Sequence, residues 1–104
     1  MIVSLSPLAT STVQIYADED WTEDAPEIEA VCRAWRAGGR RERLSVDPAE
    51  VEQVIDGLTT LSNTEDENAE GRNRHPDPEV RRIARGACQG LSGASSRLGR
   101  MARA

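Results

Sequence analysis

Apolar residues recur along the chain with two different periods. Over 47–62, DPAEVEQVIDGLTTLS, the residues Val51, Val54, Ile55, Leu58 and Leu61 fall on one stripe at helical spacing. The stretch opens with Asp47 as a cap, Pro48 at the first helical position and Glu50 at capping-box distance. This pattern predicts a core helix over 47–62, around which the rest of the chain can be arranged. A second helix is predicted over 24–37, where Asp24 and Glu27 repeat the capping-box spacing and Ile28, Val31, Cys32 and Trp35 form an apolar face. The Gly38–Gly39 pair supplies its stop.

A third helix is predicted to begin at Asp77 and Pro78, which repeat the cap-plus-proline start. It carries Val80, Ala84, Ala87, Leu91, Ala94, Leu98 and Met101 in alternating steps of four and three, the spacing of a helix packed along another. Three of these residues are Ala, and Gly86, Gly90, Gly93 and Gly99 intervene. Each internal Gly costs roughly 0.5–1 kcal/mol relative to Ala, so the helix either runs over 77–100 or breaks near 90–93. Small residues also admit a close neighbour, so this face is expected against the 47–62 helix or a second chain.

The shorter period appears in three places. Residues 2–5, IVSL, and 12–17, TVQIYA, alternate on either side of SPLATS and predict a hairpin. Residues 42–46 end in Leu44, Ser45 and Val46 and predict a third strand. Were it parallel to 12–17, the 24–37 helix would become a right-handed crossover. The alternative for 12–17 is a helix starting at Pro7 behind Ser6, with Leu8, Thr12 and Ile15 on one face. The β-branched residues Thr10, Thr12, Val13 and Ile15 favour strand. Residues 63–76 hold one apolar residue, Ala69, and predict a polar loop or linker, long for a compact domain. The expected fold is therefore a single α+β domain over 1–104. It has three helices, a two- or three-stranded sheet and a basic C-terminal helical segment over 77–104.

Composition qualifies that picture. Leu, Ile and Val number 19 of 104 and Phe is absent, so the core is thin and association with a second copy or a partner is expected to supplement it. All 13 basic residues are Arg, which excludes Schiff-base lysine chemistry and a phosphate-loop lysine. No window reaches the roughly 20 apolar residues of a membrane span, and the first residues lack the basic start and long apolar run of a secretory signal. Cys32 and Cys88 are far apart and outside metal-binding spacings, so both are read as reduced thiols of a cytoplasmic protein.

Charge is segregated rather than mixed. Residues 1–30 carry seven acids and no base, 31–46 five Arg and one acid, 47–70 eight acids and no base, and 71–104 eight Arg and two acids, for a net −5. Such blocks fit either segments that attract one another or a surface with patches of opposite sign.

The chemistry of catalysis is mostly missing. His75 is the single histidine, and its neighbour Asp77 lies across a proline, a turn more than a base and its orienter. One His and two scattered Cys do not make a zinc set, and neither acidic cluster has the spacing of a calcium loop. No enzyme activity, metal or cofactor is expected. The leading expectation is a non-catalytic interaction protein whose carboxylates occupy a basic surface of a larger partner, with Asp18, Glu19, Asp20, Trp21, Glu23, Asp24, Glu65, Asp66 and Glu67 in contact. Small inhibitors and regulators of phages and mobile elements work in this way, some by mimicking nucleic acid, an analogy of size and charge only. One alternative is a nucleic-acid-binding regulator using Arg81, Arg82, Arg85, Arg97, Arg100 and Arg103 on the last helix. Against it stand a pI near 4.9 and the lack of aromatics among the arginines. A homo-oligomeric structural subunit is the other alternative.

Overall fold

The computed structural model describes residues 1–19, 24–70 and 77–103. In chain order these form β1 (Ile2–Ser4), α1 (Pro7–Glu19), α2 (Pro26–Ala37), β2 (Arg43–Ser45), a short 3-10 turn at Pro48–Glu50, α3 (Val51–Ala69) and α4 (Pro78–Arg103). The protein is mostly helical, and its described residues form four α-helices and one two-stranded antiparallel sheet.

Helix α3 is central, as its stripe predicts. Its buried residues Val51, Val54, Leu58 and Leu61 meet α2 on one side and α4 on the other. Asp47 caps the entry by accepting a hydrogen bond from the amide of Ala49 (2.9 Å). The capping box is not reciprocated, because the Glu50 carboxylate accepts from Arg33 instead (2.8 Å). The α2 cap also differs from expectation. Ala25, not Asp24, occupies the N-cap position, with no side-chain hydrogen bond, and Pro26 pre-sets the first turn. At the other end Gly39 and Arg40 both adopt positive φ, +88° and +58°, which turns the chain toward β2.

The predicted hairpin over 2–5 and 12–17 is not formed. Residues 12–17 belong to α1, and β1 pairs with β2 in antiparallel register, Ile2 with Ser45, Val3 with Leu44 and Ser4 with Arg43. Among the described residues there is consequently no parallel strand pair and no crossover. Helix wins because Ser6 caps it, its Oγ accepting from the amide of Ala9 (3.2 Å), and Pro7 follows at the first position. Thr10, Ser11 and Thr12 each fold their hydroxyl back onto the carbonyl four residues earlier, which satisfies them inside a helix. The buried face is Ala9, Thr12 and Val13, with Tyr16 and Ala17 half-buried, while Ile15 is exposed.

Two further boundaries move. Helix α3 does not stop at Ser62 but continues to Ala69, so much of the predicted polar loop is its last two turns. Asn63, Asp66 and Glu67 face solvent there, while Ala69 is buried. Helix α4 is unbroken at 90–93. Ala84, Ala87, Leu91, Ala94 and Leu98 of the predicted seam are buried and α4 packs along α3, while at the ends of the seam Val80 is half-buried and Met101 is exposed. The α4 glycines admit α1: a methyl at Gly90 would clash with Ser6 Oγ, and one at Gly86 would meet Leu8. Close packing thus offsets the helical cost of those glycines.

Candidate functional site

The two acidic stretches, more than forty residues apart in sequence, are brought to one end of the molecule. Helix α1 runs antiparallel to α4, since the chain passes from Ser4 at Arg97 through Ser6 at Gly90 to Leu8 at Gly86. Helix α3 runs antiparallel to α4 as well, with Thr59 beside Ser95 (3.4 Å) and the hydroxyl of Ser62 donating to the Cys88 carbonyl (3.2 Å). The C-terminal ends of α1 and α3 therefore both lie near the start of α4, with Tyr16 of α1 within electrostatic reach of Glu65 of α3. Asp18 and Glu19 are exposed on the last turn of α1, and Asp66 and Glu67 are exposed on the last turn of α3. Asp24 is exposed just before α2, whereas Asp20, Trp21 and Glu23 lie outside the described residues.

Tyr16 marks where these ends meet. Its burial raises the phenol above its ordinary pKa, and the carboxylates of Glu65 and then Glu19 push it further. Glu65 is itself half-buried; burial raises its carboxyl, opposed by a hydrogen bond to Asn68. Neither α1 nor α3 has a basic residue in its last turn. Carboxylates at a helix C-terminus oppose the macrodipole, an arrangement that costs roughly 0.3–1 kcal/mol for each exposed charge.

The arginines divide into two groups. Those of 31–46 are largely used within the fold: Arg33 pairs with Glu50 (2.8 Å), Arg36 donates to the Ala17 carbonyl (3.2 Å), and Arg43 donates to the Gly38 carbonyl (2.9 Å). Those of α4 are not. At about 100° per residue, Arg81, Arg82, Arg85, Arg97, Arg100 and Arg103 fall within one arc of about 160°, opposite the seam buried on α3. Arg97, at the edge of that arc, donates to the Ser4 carbonyl (2.6 Å) and fastens β1 to α4. Arg82 pairs with Glu79 one turn earlier.

An acidic row runs beside this basic one. Glu52, Asp56, Thr59, Asn63, Asp66 and Glu67 are exposed along α3, and Arg82, Arg85, Gln89, Ser92, Ser96, Arg100 and Arg103 along α4. Among the described residues no ion pair joins the two helices. The blocks of charge in the sequence announce the two signs, whereas the polar composition of 63–69 points to a loop and hides that its acids share a helix face.

Other candidates are less organised. His75 lies outside the described residues, and no group of three or more His, Cys, Asp or Glu among the described residues is placed to hold a metal ion. Cys32 is buried and its thiol raised by that burial, and Cys88 is half-buried; both are free. Trp35 is in the core, its indole nitrogen without a hydrogen-bond partner among the described residues. No described helix is long and apolar enough to cross a membrane. Comparison with protein-family models, curated proteins and solved structures gives no significant match.

Proposed function

We propose that this protein is a non-catalytic interaction module whose acidic end occupies a basic surface on a larger protein, in the manner of a small inhibitor or regulator. The observation that supports this reading is that exposed carboxylates crowd one end of the molecule, Asp18 and Glu19 on the last turn of α1 and Asp66 and Glu67 on the last turn of α3. There they oppose both helix dipoles and one another, so the arrangement favours an external cation over the stability of the fold. Concentrated charge of this kind speeds encounter with a basic surface more than it deepens affinity.

The test begins with capture of partners from the native host, identified by mass spectrometry, followed by association kinetics with the captured protein. Replacing Asp18, Glu19, Asp66 and Glu67 by their amides should slow association and flatten its salt dependence. Competition by nucleic acid for the same surface on the partner would support mimicry. A partner that docks through an apolar face, with an association rate indifferent to the four amides, would overturn the reading.

A further inference from the structure

The α3–α4 hairpin has an outer face that is charged in two parallel halves, and the halves match. In α3 the exposed row lies opposite the buried Val54, Leu58 and Leu61, and in α4 it lies opposite Leu91, Ala94 and Leu98, so both rows are on the side turned away from the core. The contacts between the helices fix which residues are level. Thr59 is level with Ser95, and Ser62 with Cys88. Ala69 shares a shallow hollow with Arg81, Arg82 and Arg85, and Ile55 shares another with Arg100 and Arg103. Asp66 and Glu67 therefore stand at the height of Arg82 and Arg85, and Glu52 and Asp56 at the height of Arg100 and Arg103. Between these levels both rows are uncharged, with Thr59 and Asn63 on α3 and Gln89, Ser92 and Ser96 on α4.

This geometry points to a second copy of the same chain as the occupant of the face. A two-fold axis parallel to the hairpin places α3 of one copy over α4 of the other and repeats the exchange on the other side. It changes no residue's height. Every carboxylate cluster then meets an arginine cluster and every neutral stretch meets a neutral stretch, twice, as an isologous interface requires. A duplex nucleic acid would use the α4 row but would be repelled by the α3 row beside it, so the face as a whole fits its own copy better. The face is about 28 Å long and roughly two helix diameters, about 20 Å, wide. That is near 560 Å² per copy, below the roughly 800 Å² of a standard stable interface, so the dimer is reversible and salt-sensitive.

The inference does not depend on the external partner proposed above, although it shares Asp66 and Glu67 with that surface. It is tested on the purified full-length chain alone. Sedimentation equilibrium at about 0.1 mM protein and about 20 mM salt should approach twice 11.4 kDa, and at about 500 mM salt should return to the single chain. Two variants provide the decisive mixture. One carries Glu52→Arg, Asp56→Arg, Asp66→Arg and Glu67→Arg, and the other Arg82→Glu, Arg85→Glu, Arg100→Glu and Arg103→Glu. Each should be monomeric alone, and an equimolar mixture should form a one-to-one dimer, which mere misfolding of either variant would not produce. Should a charge-reversed variant be poorly folded by circular dichroism, the corresponding Gln variants should show weakened self-association without rescue on mixing. A wild-type chain that stays monomeric at low salt would overturn the inference, as would a dimer that survives either reversal. Retention of duplex DNA by a monomeric wild type would assign the α4 row to nucleic acid instead.

Discussion

Glu65 is the residue whose environment is most at odds with its chemistry. It sits half-buried at the meeting of α1 and α3, and burial raises its carboxyl despite the hydrogen bond to Asn68. A raised folded-state pKa means that the folded protein holds the Glu65 proton more tightly than the unfolded chain does. That stabilising contribution is present below the unfolded value and is lost as pH rises through the folded one. Glu65→Gln, which keeps the shape and a hydrogen-bonding end, should therefore raise the melting temperature at neutral pH. The advantage over wild type should shrink as pH falls through the raised folded value toward the ordinary range of a glutamate, and be gone below that range. Equal melting temperatures at every pH would show that the carboxyl is effectively solvated. Sequence alone could not have singled Glu65 out from Asp66 and Glu67. The difference is which of three consecutive acids turns inward beneath Tyr16, and that follows from the helical phase of α3 beyond Ser62.

At the scale of elements, the helix–helix crossings are set by glycines, and each makes a separate expectation. A methyl added at Gly57 would clash with the carbonyl oxygen of Glu27 and with Val31 Cγ2, so α2 and α3 would have to separate. Gly57→Ala should cost about 3 kcal/mol, the upper end of overpacking losses. At Gly99 nothing stands within 4 Å, and Gly99→Ala should stabilise by roughly 0.5–1 kcal/mol through helix propensity. Chemical denaturation would rank the two, and a neutral Gly57→Ala would mean that the crossing is looser than described. The central helix, the start of α2 within two residues and the α4 seam were legible because burial on one side imposes a period that composition does not hide. α1 departs from the strand expectation because its Ser–Pro start outweighs the β-branched residues, and its inward face is Ala9 and Val13 rather than the larger apolar Leu8 and Ile15. The polar half of α3 was invisible for a different reason. Its inward positions are Ser62, Glu65 and Ala69, too small or too polar to register as a stripe.

For the molecule as a whole, the candidate surfaces were only half legible. The blocks of charge along the chain set the signs, but which arginines are tied down within the fold emerges from geometry: Arg33, Arg36 and Arg43 bind Glu50 and backbone carbonyls, whereas the α4 arginines line an exposed arc. The segregation on the hairpin also gives the protein a large electric dipole across a short distance, and net charge is then a poor guide to its behaviour at other charged surfaces. At pH 7 the dilute monomer, with a net −5, should be retained at low salt by an anion exchanger and also by a cation exchanger. Replacing Arg82, Arg85, Arg100 and Arg103 by Gln should abolish the second retention and leave the first. Flow of the wild type straight through a cation exchanger would mean that the α4 row is masked. A resin bead feels the nearest face of a protein rather than its sum, and this chain offers it a choice of two.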